Sequence, residues 1–129
     1  MPLILVVDDE PLIRRLVRQF LGPRHEVIEA GSAEQALDFA HLRRPDLVVL
    51  DIGLPGVLDG LDALFAMRRH TRLRDIPVVI LSGHGLQGES CGMPVDAYFT
   101  KPFKPSDLVA CIERLLDQSL STTALQGSA

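Results

Sequence analysis

The sequence predicts an α/β fold in which a five-stranded parallel sheet carries helices on both faces. Short apolar runs of Val, Ile and Leu, without polar alternation, occupy residues 3–7, 47–50 and 76–81. Runs of this kind are typical of strands that are buried on both faces of a sheet. Helical patterns lie between the runs and are joined to them by short connections, which predicts right-handed βαβ units.

The first half of the chain begins with the strand at 3–7. Pro11 stands where the first helix would begin, a position that tolerates proline, and the Gly-Pro pair at 22–23 would end that helix. Residues 25–30 predict a second, shorter strand at an edge of the sheet. Ser32, followed by Gln35 three positions later, is a capping-box signature that predicts the start of a second helix.

The second half continues with the strand at 47–50 and a loop at 53–56. A third helix is predicted over residues 59–70, and strands follow at 76–81 and 95–100. Five strands that alternate with helices in βαβ units predict the flavodoxin-like strand order 2-1-3-4-5.

A last helix is predicted to be capped by Ser106 and Asp107. The 129 residues are enough for one domain with a proper core, which we place at residues 1–118. Residues 119–129 show no periodicity and predict a disordered tail.

Composition argues against several functions. The net charge is −4, and the sequence has no basic run and no Trp, so direct nucleic-acid binding is not predicted. No segment has the pattern of a signal peptide or the length of a membrane span, which predicts a cytoplasmic protein without a membrane partner. Cys91 and Cys111 form no disulfide framework or metal motif and are interpreted as reduced thiols.

Three carboxylates follow two of the predicted strands. Asp8 and Asp9 come directly after the run at 3–7, and Asp51 comes directly after the run at 47–50. Ligands of open parallel sheets bind beyond the carboxyl ends of the strands. Because carboxylates crowded together repel one another unless a cation joins them, and because hard oxygen ligands suit Mg²⁺, the acids predict a Mg²⁺ site.

Two further polar residues, Ser82 and Lys101, follow the fourth and fifth predicted strands. Lys104 is the only other lysine in a chain whose remaining basic side chains, apart from histidine, are arginines. An ammonium and a hydroxyl group can contact phosphoryl oxygens, and a carboxylate can act as a nucleophile that forms an acyl phosphate. The set therefore predicts a phosphoryl-transfer site.

Five segments resemble, in order and near the usual spacing, the receiver domain of two-component response regulators, including the chemotaxis type. They are VVDDEP at 6–11, PDLVVLDI at 45–52, LPG at 54–56 with Asp-Gly at 59–60, PVVILSG at 77–83 and YFTKPF at 98–103. The resemblance covers residues 3 to about 118.

The resemblance implies that Asp51 accepts a phosphoryl group from a phosphohistidine of a histidine kinase or histidine phosphotransfer protein. Asp9 and Asp51 would ligate Mg²⁺ together with the backbone carbonyl of Gly53, and Asp8 would act mainly through water.

The resemblance further implies that Ser82 and Lys101 contact the phosphoryl group. Tyr98 would be the aromatic switch that turns inward when Ser82 moves. The protein would then be a signalling protein that promotes its own phosphorylation and dephosphorylation and binds a downstream protein target, with a homodimer left open.

The sequence departs from the family pattern near the site. The loop from Asp51 to Asp59 is one residue longer than usual, and the segment between Ser82 and Tyr98 is about three residues shorter. Four glycines and a proline fall within 83–94, which predicts a short, distorted or mobile fourth helix and an atypical output surface.

Two positions that affect the rate of dephosphorylation in this family also carry unusual residues. Gly53 has no side chain to orient a water, whereas His84 titrates near neutral pH and could orient one. Because the two effects oppose each other, the phosphoryl lifetime stays open.

Two other functions remain open at this point. One is a pseudo-receiver that binds partners without accepting phosphate. The other is a Mg²⁺-dependent phosphatase with an aspartyl nucleophile, although that class needs an acid where this chain has Gly53. The sequence also leaves open whether the domain acts by itself or within a larger regulator or hybrid kinase.

Overall fold

The structure is a computed structural model that describes residues 1–83 and 94–127, the last nine of these by their backbone alone. Its five strands form one parallel sheet in the order β2-β1-β3-β4-β5. This order confirms the predicted topology. The strands are β1 (Leu3–Val7), β2 (Glu26–Ala30), β3 (Leu47–Asp51), β4 (Val78–Ser82) and β5 (Ala97–Thr100).

Four helices lie in the described parts of the chain: α1 (Pro11–Leu21), α2 (Ala33–Arg43), α3 (Gly60–Arg69) and α4 (Pro105–Gly127). Helix α1 begins at Pro11 as predicted. Helix α2 is capped by Ser32, whose hydroxyl oxygen accepts a hydrogen bond from the Gln35 amide at 3.1 Å. None of the described helices combines the length and apolar character needed to cross a membrane.

The apolar runs are buried on both faces, which explains why they lack polar alternation. Along β1, Leu5 and Val7 belong to the core on the side of α2 and α3, whereas Ile4 and Val6 belong to the core on the side of α1 and α4. The central strands β1, β3 and β4 are buried throughout, while β2 and β5 at the edges are partly exposed.

The last helix differs from the prediction at both ends. It begins at Pro105, so Ser106 and Asp107 lie in its first turn, and the Lys104 carbonyl accepts hydrogen bonds from the amides of Asp107 and Leu108. Its backbone continues to Gly127, through most of the segment predicted as a disordered tail. The segment contains Leu, Ala and Gln, which favour helix, and extending an existing helix is far easier than starting one.

The predicted short or distorted fourth helix at 84–94 lies, except for Pro94, outside the described residues, as do His84 and Cys91.

Arg68 joins three connections at the amino-terminal edge of the sheet. Its guanidinium donates hydrogen bonds to the carbonyl oxygens of Pro94, Arg74 and Ile76 at 3.0, 2.8 and 2.8 Å. Burial lowers the pKa of Arg68, although the nearby Asp96 carboxylate partly opposes that shift. One side chain thus ties the end of α3 to the segments that enter β4 and β5.

We expect Arg68→Ala to lower the free energy of unfolding by about 2 kcal/mol, because three carbonyl groups, that of Ile76 partly buried, lose their donor. Urea denaturation of the purified protein measures this loss. Arg69→Ala is the matched control, since Arg69 is exposed, lies 5.1 Å from the centroid of the Phe65 ring and has no hydrogen bond or ion pair with another described residue. Equal losses in the two variants would contradict the role given to Arg68.

Candidate functional site

Three carboxylates meet at the carboxyl edge of the sheet. Strands β1 and β3 are neighbours, and Val7 at the end of one is paired with Leu50 next to the end of the other. Asp8 and Asp51 therefore lie side by side, and Asp9 follows. Each of the three residues offers a carboxylate oxygen, and these oxygens lie within 4.8 Å of one another.

The acids differ in their exposure to solvent. Asp8 is fully buried and Asp51 is 4% exposed, whereas Asp9 is exposed. Burial raises the pKa of Asp8 and the charge of Asp51 adds to the rise, while hydrogen bonds from Lys101 and the Glu10 amide oppose it. A carboxylate in this position is stabilised by any cation that joins the cluster.

Lys101 supplies positive charge to this cluster from the end of β5. Its Nζ lies 2.7 Å from Asp8 Oδ2, 3.3 Å from Asp51 Oδ2 and 3.3 Å from Glu10 Oε1. Burial by itself would lower the pKa of Lys101, but the contacts with Asp8 and Asp51 outweigh it and raise the pKa above its usual value. The ammonium is therefore charged throughout the physiological pH range. The peptide bond between Lys101 and Pro102 is cis.

The carboxylate of Asp51 is held at both oxygens. The Gly53 amide donates a hydrogen bond of 2.8 Å to Oδ1, and Lys101 contacts Oδ2. The position two residues beyond Asp51, where an aspartyl phosphatase needs a second acid, is this same exposed glycine.

Ser82 and Tyr98 come from the neighbouring strands. Ser82 is buried at the end of β4, and its carbonyl accepts a 2.7 Å hydrogen bond from the Lys101 amide. Tyr98 lies on β5 opposite Ile80 and packs against the core beneath α2 and α3. Its hydroxyl oxygen is buried and has no hydrogen-bond partner among the described residues. The catalytic and switch roles of these residues stay predictions.

Two contacts at the site were not predicted from the sequence. The Glu10 side chain contacts Lys101, and Arg14 Nη1 donates a 2.6 Å hydrogen bond to the carbonyl oxygen of Asp8. Glu10 directly follows the acid pair, so its place in the sequence gave a signal. Arg14 gave none, because it looks like one of several solvent-facing arginines on α1.

A sequence model of the response regulator receiver domain matches residues 4–113, the greater part of the chain. The chain belongs to this family. Receiver domains are signalling modules of two-component systems, so the predicted family, fold and class of function are confirmed.

Several characterised regulators are similar to this receiver domain. It is 37% identical to the transcriptional regulatory protein AruR of Pseudomonas aeruginosa, covering 99% of this chain and 54% of that protein. It is 39% identical to the probable transcriptional regulator ycf27 of Cyanophora paradoxa, covering 96% of this chain and 54% of that protein. The chain thus spans about half the length of these relatives.

Solved structures show the same architecture. The receiver domain of NtrX from Brucella abortus superimposes with a TM-score of 0.80 at 39% identity, covering 88% of this chain and 98% of that one. A CheY-like receiver domain protein from Methanospirillum hungatei gives a TM-score of 0.84 at 27% identity, covering 95% and 98%.

The donor set of this receiver domain fits a magnesium ion. Its three carboxylates are hard oxygen ligands gathered at one point, which Mg²⁺ prefers. Asp8 Oδ2 is buried and faces the Lys101 ammonium at 2.7 Å, so this oxygen already lies where a cation is stabilised. Asp8, Asp9 and Asp51 are thus the residues that could hold the ion.

Proposed function

We propose that residues 1–118 act as a phosphoacceptor receiver in which Asp51 takes a phosphoryl group from the phosphohistidine of a histidine kinase or histidine phosphotransfer protein. Asp9, Asp51 and the Gly53 carbonyl hold Mg²⁺ in this proposal, and Asp8 contributes mainly through water. The ion supplies positive charge to the phosphoryl oxygens when it is bound.

The observation that carries the proposal is the setting of Asp51. Its carboxylate lies at the carboxyl edge of a parallel sheet, where ligands of such folds bind. The Gly53 amide holds one oxygen and the Lys101 ammonium faces the other, at 2.8 and 3.3 Å. A carboxylate restrained in this way loses less freedom when it reacts, which lowers the entropic part of the barrier.

The transfer makes one bond and breaks one bond. An oxygen of Asp51 forms a bond to phosphorus as the phosphorus–nitrogen bond of the phosphohistidine breaks, and the departing imidazole keeps the bonding electron pair and takes a proton from solvent. Lys101 then exchanges its contact with Asp51 Oδ2 for a phosphoryl oxygen, where an ammonium stabilises the transferred charge.

The change in partner binding that follows phosphorylation starts, in our proposal, at the same edge of the sheet. Ser82 contacts the phosphoryl group in our proposal, and Tyr98 responds to its movement, which changes the binding of a downstream protein partner. The hydroxyl of Tyr98 is buried and has no hydrogen-bond partner within 1–83 and 94–127, which supports two positions for this side chain, because such a group gains a hydrogen bond by moving. We place the reaction in the cytoplasm, with removal of the phosphoryl group promoted by the same site.

Acetyl phosphate with Mg²⁺ tests the phosphoacceptor role, read by intact mass. We expect the wild type to gain the mass of one phosphoryl group, and Asp51→Asn to gain none because the amide is a far weaker nucleophile. Omission of Mg²⁺ should reduce the gain. Asp38→Asn is the matched control, since Asp38 is exposed on α2 and should leave the gain unchanged.

Equal gain in the wild type and Asp51→Asn would show that another residue accepts the group. No gain from acetyl phosphate or from a phosphorylated histidine kinase would favour a pseudo-receiver that binds partners without phosphate. Steady turnover of a small phosphate ester would instead favour a phosphatase.

A further inference from the structure

We propose that Arg14 and Glu29 form a positioning pair that sets the direction of Asp9 toward the metal. This inference rests on the proposed function, because it concerns the Mg²⁺ site of the phosphoacceptor. It adds two residues, one from α1 and one from β2, to those that govern the site.

The guanidinium of Arg14 lies against the backbone of the acid pair. Its Nη1 donates a 2.6 Å hydrogen bond to the Asp8 carbonyl oxygen, and its Nε donates to Glu29 Oε1 at 3.2 Å. The Arg14 side chain is only 19% exposed, so it is held more firmly than an arginine on an open surface. A planar guanidinium that is fixed at two of its nitrogens has little freedom to turn.

Glu29 is fixed in turn from its other oxygen. Arg18, one turn further along α1, donates from Nε to Glu29 Oε2 at 2.8 Å, and its Nη2 donates to the Val27 carbonyl at 2.9 Å. The carboxylate of Glu29 therefore bridges two arginines and keeps α1 aligned with the edge strand β2. This arrangement holds Arg14 in place over the Asp8 carbonyl.

The Asp8 carbonyl belongs to the same peptide group as the Asp9 amide. The amide of Asp8 donates to the Ala30 carbonyl at 3.1 Å, so Asp8 is held on both sides of its Cα. The Asp9 side chain makes no hydrogen bond or ion pair of its own with the described residues. The held peptide group between Asp8 and Asp9 therefore restrains the backbone from which the Asp9 carboxylate projects.

Some residues do not bind the metal but orient the residues that do. Removing one of them typically lowers the metal affinity by about 10- to 100-fold. Because Arg14 acts on Asp9 through the backbone, we expect Arg14→Ala to weaken Mg²⁺ binding by about tenfold. Charge by itself gives the opposite sign, since removing a cation near the site would tighten the binding of a dication. The direction of the change therefore separates positioning from electrostatics.

Isothermal titration of the full chain with MgCl₂ measures the effect, with thermal unfolding recorded alongside. Arg15→Ala is the matched control, because Arg15 is the next residue on α1, is exposed and has no hydrogen bond or ion pair with the described residues. Glu29→Gln should weaken binding in the same direction as Arg14→Ala. Arg14→Lys should restore part of the affinity, since its ammonium can still donate to the carbonyl.

A double-mutant cycle separates this role from a loss of fold. Asp9→Asn removes the carboxylate through which Arg14 is proposed to act, so adding Arg14→Ala to Asp9→Asn should change the dissociation constant by less than about twofold. A merely structural role would lower the melting temperature and leave the dissociation constant of the folded protein unchanged.

An unchanged or tighter dissociation constant in Arg14→Ala would overturn the inference, as would losses that add fully in the double variant. Failure of the wild type to bind Mg²⁺ would overturn the proposed metal site and this inference with it. Normal binding by the wild type with no effect of Arg14→Ala would overturn the inference alone.

Discussion

Gly60→Ala is expected to lower the free energy of unfolding by about 3 kcal/mol, at the upper end of what overpacking costs. Gly60 is the first residue of α3, and its Cα faces the end of β3. A Cβ at this position would overlap the carbonyl oxygen of Asp51 and the Cα of Ile52, and would lie 2.9 Å from the carbonyl carbon of Asp51. Backbone atoms of a buried strand cannot move aside as a flexible side chain would, so either α3 or the Asp51 loop must shift.

Urea denaturation of Gly60→Ala measures this cost. Gly83→Ala is the control, because Gly83 is exposed and no atom of a described residue other than its chain neighbours lies within 4 Å of a Cβ there. The substitution should also slow phosphorylation, since the backbone atoms that the new Cβ meets include the carbonyl group of Asp51. A stability equal to that of Gly83→Ala would contradict the close approach of α3 to β3.

Lys101→Ala is expected to destabilise the metal-free protein by about 3 kcal/mol at neutral pH. The change leaves Asp8 and Asp51 buried beside each other without a cation, and removing one partner from a buried ionic cluster typically costs about 3–5 kcal/mol. Since Lys101 is 17% exposed, the lower end of that range applies.

The loss should shrink as the pH falls. Without Lys101 the pKa of Asp8 in the folded state rises further above its unfolded value, so the folded state gains stability when Asp8 binds a proton. The penalty is thus largest above the folded pKa and smallest in acid. Unfolding measured across this range, with the exposed Lys104→Ala as control, tests the sign. A loss that grew in acid would contradict the account.

Magnesium should rescue Lys101→Ala more than it stabilises the wild type. In the metal-free wild type the ammonium already neutralises part of the charge that Mg²⁺ would neutralise. Binding to the folded state raises the free energy of unfolding more when the affinity is higher. We therefore expect MgCl₂ to raise the melting temperature of the variant by more. An equal rise in both proteins would show that the ion and Lys101 act at separate places.

The fold could be predicted well because its main signals are short in range. The run at residues 47–50 is apolar at successive positions and short, which is the pattern of a strand buried on both faces. The extent of α4 was predicted less well. Whether residues after 118 stay helical depends on the packed turns that precede them, and their own composition does not contain this information.

The site was predictable as far as topology alone determines it. Asp8, Asp51 and Lys101 follow strands whose carboxyl ends meet at one edge, so their proximity follows from the strand order. The contact of Arg14 with the Asp8 carbonyl depends on a side-chain rotamer and on the rotation of α1 about its axis. The need for glycine at position 60 likewise depends on how closely α3 approaches β3. That distance cannot be derived from the hydrophobic periodicity of the sequence.

Chemical trapping of the phosphorylated residue tests the central claim most directly. The protein is treated with acetyl phosphate and Mg²⁺, then with borohydride, which reduces an acyl phosphate of aspartate to homoserine, and its peptides are sequenced by mass spectrometry. We predict homoserine at position 51 alone, none without the donor, and less when Mg²⁺ is omitted. Homoserine at position 8 or 9, or its absence from every position after a confirmed gain in mass, would contradict Asp51 as the phosphoacceptor.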